Sequence, residues 1–183
     1  MARVAILVGS LRQASITRKV ALTLIELAPP GLDLAFVEVG DLPLYNEDLE
    51  ATVPLAWARF REQMLGVDAV LFATPEYNRS VPGGLKNAID VGSRPAGKSV
   101  FKGKPACVVS VSPGAMGGFG ANHHVRQSLV FLDMPTLQQP EAYVGNAAAL
   151  FDEAGKMINE GTRAFLGKIL AAFADLIARS RQP

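Results

Sequence analysis

Between residues 9 and 18 the chain reads Gly9-Ser10-Leu11-Arg12-Gln13-Ala14-Ser15-Ile16-Thr17-Arg18, which sets hydroxyls, successive backbone amides and two guanidinium groups between an apolar run and a helix. That is what a phosphate needs. Ser10, Ser15 and Thr17 can donate hydroxyl hydrogens, and Arg12 or Arg18 can neutralise a dianion through a charge-assisted fork. A helix that starts at this point directs free N–H groups and the positive end of its dipole at the same anion. A plainer use of the residues stays open, in which Ser15 or Thr17 caps the helix and both arginines are solvated. The run lacks the G-x-x-x-x-G-K-[ST] spacing of a nucleoside-triphosphate loop and the three-glycine fingerprint of dinucleotide folds, so neither ATP nor tightly bound NAD is the first expectation.

Two further irregular segments complement this turn. Thr74-Pro75-Glu76-Tyr77-Asn78-Arg79-Ser80-Val81-Pro82-Gly83 combines rigid prolines, an aromatic ring, an amide and exposed backbone, and suits the edge of a flat heterocycle better than a sugar or a metal. Ser112-Pro113-Gly114-Ala115-Met116-Gly117-Gly118 lacks bulky side chains near its start. Its amides can therefore approach a ligand closely and form a local positive field.

The elements that must position these segments follow from periodicity. Val4-Ala5-Ile6-Leu7-Val8 is short, apolar and without a polar face, as in a strand buried on both sides of a parallel sheet. Val20, Leu24 and Leu27 mark the first helix, and Pro29-Pro30-Gly31 breaks it. Residues 32–39 read as a second strand with Leu34, Phe36 and Val39 inward, followed by a long polar connection over 40–54 that contains Pro43, Tyr45 and Asn46. A helix over 55–65 carries Trp57, Phe60 and Met64 on one stripe, which reads as packing or a subunit contact rather than a cofactor box. Residues 68–74 form a third strand that Pro75 stops, and Gly83-Gly84 opens a helix with Leu85, Ala88 and Ile89 on one face. A fourth strand spans 104–112, a helix with Val125, Leu129 and Leu132 spans about 121–132, and a fifth strand lies within 136–143, interrupted by Pro140. The last helix, about 159–179, shows Phe165, Ile169, Phe173 and Leu176. Such alternation argues for an open, doubly wound parallel α/β sheet, in which ligands bind beyond the carboxyl ends of the strands where strand order reverses. The segments after strands one, three and four would open on that one edge.

Composition bounds the rest. At 183 residues and 49% hydrophobic content the chain suits one α/β domain, spanning 1–183. No run of about 18 uncharged apolar residues occurs and no cleavable leader is seen, so a cytoplasmic protein with no membrane contact is expected. The single cysteine, Cys107, lies inside an apolar strand and reads as a buried, inert thiol. A net charge of +1 without a basic block excludes an electrostatic footprint for nucleic acid. Lys98, Lys102 and Lys104 surround Gly97, Gly103 and Pro105 and read as a solvated loop. His123 and His124 have no carboxylate or thiol at metal-ligand spacing, so no metal is expected.

Taken together, Gly9-Ser10-Leu11-Arg12 with Ser15, Pro75-Glu76-Tyr77-Asn78 continuing through Pro82-Gly83 and Leu85-Lys86-Asn87-Ala88-Ile89-Asp90, and Ser112-Pro113-Gly114 resemble the NADPH-dependent FMN reductases, a group that includes quinone, azo-dye and chromate reductases. The resemblance implies a flavodoxin-like five-stranded parallel sheet of order 2-1-3-4-5 with helices on both faces. It implies that Ser10, Arg12, Ser15 and Thr17 hold the FMN phosphate with the Ile16 amide, that Pro75, Glu76, Tyr77 and Asn78 border the isoalloxazine, and that Ser112 and Gly114 approach its pyrimidine side. Two departures stand out. Val91 and Gly92 occupy a place where relatives often carry an aromatic residue, and Thr17 replaces a frequent asparagine.

The implied activity is hydride transfer from NADPH or NADH to FMN and on to quinones, azo compounds, chromate or free flavin by a ping-pong scheme. The flavin carries that chemistry, so no catalytic side chain is required, with Tyr77 shaping the pocket. A homodimer or homotetramer is implied as well, with the Trp57 stripe, the Tyr45 connection, and His123 with Arg126 as candidate contacts. The alternatives are a flavodoxin-type electron carrier docking to a partner protein, and a scaffold that has lost the cofactor. The near-neutral charge opposes the carrier, which steers toward basic partners by its acidity, and the intact first turn opposes the scaffold.

Overall fold

The computed structural model describes residues 1–181. Its chain order is β1 (Ala2–Val8), α1 (Ile16–Glu26), β2 (Leu32–Phe36), α2 (Leu55–Leu65), β3 (Ala69–Thr74), α3 (Gly83–Ser93), β4 (Ala106–Val111), α4 (Phe119–Phe131), β5 (Ala142–Val144) and α5 (Glu160–Ser180). Short 3-10 turns at Glu47–Ala51 and Ala147–Leu150 sit in two of the connections. The strands form one parallel sheet in the order β2-β1-β3-β4-β5, as expected. Val8 pairs with Ala73 and Ala73 with Val109, so β1, β3 and β4 end almost level and deliver their following turns to one rim.

Successive strand residues point to opposite faces, and the chain uses both. Ile6, Val8, Leu71 and Val109 pack under α1 and α5 through Val20, Leu24, Leu166, Ile169 and Phe173. Leu7, Phe72 and Val108 pack under α2, α3 and α4 through Trp57, Phe60, Met64, Leu85, Ile89, Val125 and Leu129. The stripe on α2 is therefore core. Trp57, Phe60 and Met64 are fully buried within the chain, Tyr45 stacks on Trp57 at 5.4 Å, and none of the stripe remains for a subunit contact. This corrects the expectation that these side chains exceed what one domain can cover.

Several boundaries differ for physical reasons. β2 leaves the ladder after Phe36, although Val37 and Val39 stay buried. β5 is confined to Ala142–Val144, because Pro140 has no N–H for a ladder, and Thr136 makes only an isolated bridge to Ala106. Asn87, inside the recognisable stretch after Gly84, serves the fold. Its Oδ1 accepts from the Tyr45 N–H, and its Nδ2 donates to the carbonyls of Leu42 and Pro43. Trp57 Nε1 donates to the same Pro43 carbonyl, so the connection over 40–54 is pinned to α2 and α3. At Gly92 a Cβ would lie 2.5 Å from the Phe101 ring, which fills the space beside α3. Lys104 is not solvated: half-buried, it donates to the Met64 carbonyl, and burial lowers its pKa.

Candidate active site

The site begins where β1 ends. Gly9 N–H donates to the Ala73 carbonyl as the last ladder bond, and a Cβ there would lie 3.1 Å from Pro75 and 3.2 Å from Leu85. Beyond it the chain stops pairing. Among the described residues, the N–H groups of residues 10–14 and of Ile16 and Thr17 donate to no protein acceptor. Ser15 caps α1, its Oγ accepting from the Arg18 N–H at 3.1 Å, and is 2% exposed. Its own hydrogen remains available to a ligand. Thr17 is 3% exposed, yet its hydroxyl makes no protein hydrogen bond and is not among the atoms sealed from solvent. A nearly buried residue with an open, unpartnered hydroxyl at a helix start fits an anion.

Ser10 is half-buried and Arg12 exposed, on the same turn. Arg12 has no carboxylate within 4.0 Å among the described residues, and the same holds for Arg18. The two arginines diverge in placement. Arg18 lies over the Phe36 ring at 4.3 Å, toward β2, so the sheet order sets it on the far side of β1 from β3 and β4.

The turn after β3 is a tight hairpin. Tyr77 and Ser80 exchange backbone hydrogen bonds of 3.1 and 3.0 Å, and the two residues between them, Asn78 and Arg79, have φ of 51° and 63°. Positive φ at both central positions is what a two-residue type I′ turn requires. Tyr77 thereby projects 46% exposed beside Pro75. Glu76 turns inward instead: its Oε2 accepts from the Ala121 N–H in the first turn of α4, where the helix dipole favours a carboxylate. Only its backbone is free to border a ring.

The turn after β4 is held from beneath. Ser112 Oγ accepts from Gly114 N–H, while Gly114 O accepts from Gly117 and Asn146. Gly114 itself is exposed, with only the Ser112 hydroxyl near the place of a Cβ. Gly117, Gly120 and Gly145 are close approaches, where a Cβ would lie 2.6 Å from the Tyr143 backbone, 2.5 Å from Arg79 O and 2.4 Å from Ala115 O. These contacts lock the turns after β3, β4 and β5 together. Sequence reasoning missed the segment after β5 as part of this edge, and its only visible signal is the Gly145-Asn146 pair.

All the expected site residues thus border the rim built by the turns after β1, β3 and β4, with Glu76 anchoring α4 and Ser15 serving both as cap and as free donor. Other expectations move. Arg126 donates to Asn122 Oδ1 and the Leu137 carbonyl, and His123 lies 3.0 Å from the Tyr143 hydroxyl, its ring tilted against Phe119 at 4.3 Å. Half-buried Arg126 thus bonds within its own chain, to α4 and to the segment before β5. His124 bonds Ser80 at 2.8 Å, and no group of metal-ligating side chains occurs among the described residues. Burial pushes the Cys107 thiol up to about 12, consistent with an inert residue. No helix among the described residues is long and apolar enough to cross a membrane.

A family model described as NADPH-dependent FMN reductase matches residues 2–149. A quinone reductase of Pseudomonas putida is 65% identical over 179 residues, covering 97% of this chain and 96% of that one. A 2-hydroxy-1,4-benzoquinone reductase of a Burkholderia species is 40% identical, covering 98% of each. Among solved structures, the flavoenzyme FerB of Paracoccus denitrificans, an NAD(P)H:(acceptor) oxidoreductase, superposes with a TM-score of 0.92 at 39% identity over 98% of this chain and 99% of that one.

Proposed function

This chain belongs to the NADPH-dependent FMN reductase family, and from that premise we propose that it is an FMN-dependent NAD(P)H oxidoreductase whose acceptors are quinones. The observation that carries the reading is the set of unpaired amides at residues 10–14, 16 and 17, with the Ser15 and Thr17 hydroxyls and the Arg12 guanidinium, facing the same edge as the turns after β3 and β4. Ser10, Arg12, Ser15 and Thr17 with the Ile16 amide would hold the phosphate. Pro75, Tyr77, Asn78 and the Glu76 backbone would border the ring, and Ser112 with Gly114 would face its pyrimidine side. When bound, FMN supplies hydride acceptance from the nicotinamide and delivery to the second substrate.

The protein's part is positioning and electrostatics. Backbone dipoles in the turn after β4 are fixed by Gly117 against Tyr143 and by Gly145 against Ala115, so they can stabilise negative charge without reorganising. Pro75 and the hairpin hold Tyr77 at the rim. Donor and acceptor would then use one open face in turn, a ping-pong order, and azo compounds, chromate or free flavin would be admitted with quinones. Purified protein should be yellow and should bleach with NADPH or NADH under anaerobic conditions, then recover with a quinone. A colourless protein that stays colourless with FMN overturns the reading, and intersecting rather than parallel double-reciprocal lines overturn the ping-pong order.

The enzyme is proposed to act in the cytoplasm as a homodimer or homotetramer. Support for assembly comes from a groove of about 470 Å³ between α3 and α4, beside Phe131, which is 81% exposed. A concentration-independent monomer in sedimentation would refute it.

A further inference from the structure

We propose that the cavity between the β1–α1 turn and the end of β2 is a second anion site, in which Arg18 receives the 2′-phosphate of the adenosine end of NADPH. The inference rests on the flavin reading above for the identity of the molecule that brings the phosphate. The cavity measures about 420 Å³, within the range of small-ligand pockets, and is walled by Ser10, Arg12 and Arg18 on one side and Phe36, Val37 and Glu38 on the other. It opens on the β2 side of β1. The turns after β3 and β4 lie on the other side, so a flavin reaching from residues 10–17 to those turns would meet this cavity only along the β1–α1 turn, at Ser10 and Arg12, and would leave the wall of Arg18, Phe36 and Glu38 open.

Arg18 is built for recognition rather than for packing. Its guanidinium carbon sits 4.3 Å over the Phe36 ring, and among the described residues its guanidinium N–H donors make no hydrogen bond. Among the described residues no carboxylate lies within 4.0 Å of it. Glu38, the only acidic residue on the cavity wall, turns its Oε1 back to the N–H groups of Val39 and Gly40 at 3.1 and 2.9 Å. The cavity therefore holds two unpaired guanidinium groups, which suits a dianion better than a monocarboxylate. Phe36 and Val37 add an apolar wall for a base. Arg12 stands at the boundary with the flavin phosphate site, whereas Arg18 belongs to the cavity alone. A dinucleotide whose nicotinamide lies over the rim and which runs back along the flavin tail brings its far end here.

The test uses the full chain loaded with FMN and two probes, adenosine 2′,5′-bisphosphate and 5′-AMP, titrated by calorimetry against wild type, Arg18→Ala and Arg18→Glu. Wild type should bind the bisphosphate at least tenfold tighter than AMP. Arg18→Ala should erase about tenfold of that preference, Arg18→Glu more, and the KM for NADPH should rise in step while that for NADH holds. Equal binding of the two probes by wild type, or an unchanged preference in both variants, overturns the inference. So does a loss of FMN affinity in Arg18→Ala, which would assign the cavity to the flavin tail and leave the flavin reading intact. A chain that takes up no FMN at all would instead sink the flavin reading, and the bisphosphate titration still decides this one by itself.

Discussion

Ser15 offers a way to separate the fold from the ligand, because one hydroxyl plays two roles. Its Oγ accepts from Arg18 N–H at 3.1 Å as the cap of α1, and its hydrogen is left for the phosphate. Ser15→Ala removes both. The lost cap should lower the stability of the FMN-free protein by about 1 kcal/mol, a shift in Tm of about 2–4 °C for a chain of this length. The lost bond to a charged oxygen should cost about 1.5–3 kcal/mol of binding, or about 10- to 150-fold in the Kd for FMN. Ser15→Asp splits the two effects. Aspartate caps as well as serine and suits the helix dipole, so the unliganded Tm should stay within about 2 °C of wild type. A carboxylate about 4 Å from a phosphate oxygen, at an effective dielectric near 20, opposes binding by about 4 kcal/mol per charge pair, or about a thousandfold. Thermal melts of the FMN-free protein and flavin fluorescence titrations read these quantities. Normal FMN affinity in Ser15→Asp would show that no phosphate sits at the start of α1, and the site assignment would fail.

Two glycine-to-alanine changes in helices should have opposite signs. Gly120→Ala places a methyl 2.5 Å from the Arg79 carbonyl and should destabilise by about 1–3 kcal/mol while shifting the Tyr77 hairpin and weakening FMN binding, whereas Gly167→Ala in α5 meets nothing within 4 Å and should stabilise by about 1 kcal/mol in chemical denaturation. Asn87→Ala strands the Tyr45 amide and the Leu42 carbonyl and should cost about 2–3 kcal/mol in the same assay, with less effect on FMN affinity than any change at Ser15. Burial raises the Cys107 pKa to about 12, which favours the neutral thiol in the folded state. Its contribution to stability is therefore full below the ordinary thiol pKa and declines as pH rises above it, and a chromogenic disulfide reagent at pH 8 should label the thiol only after unfolding.

The three turns can be found by reading residues because each violates the pattern around it. Hydroxyls and arginines interrupt an apolar-to-amphipathic transition at 9–18, prolines and an aromatic interrupt it at 75–82, and glycines do so at 114–118. Parallel strands buried on both faces are also conspicuous as unbroken apolar runs, which is why β1, β3 and β4 are legible to within about two residues at each end. β5 is not, since three residues at a sheet edge carry too short a pattern. The stripe on α2 is visible, but its destination is ambiguous in sequence, because Trp57, Phe60 and Met64 look the same whether a sheet or a second subunit covers them.

Local chemistry along the chain points to which turns could face a ligand and to an anion joined to a flat ring, since amides, hydroxyls and guanidinium groups act through their own valence wherever the fold delivers them. Partnerships between distant residues are a matter for the folded molecule alone. Glu76 reaching the first turn of α4, Gly120 under Arg79, Arg126 turned inward to Asn122, and Arg18 laid on Phe36 each join groups that only the packing of helices on the sheet brings within contact. Such contacts depend on distances of a few ångströms across elements far apart in the chain, and no local pattern encodes them.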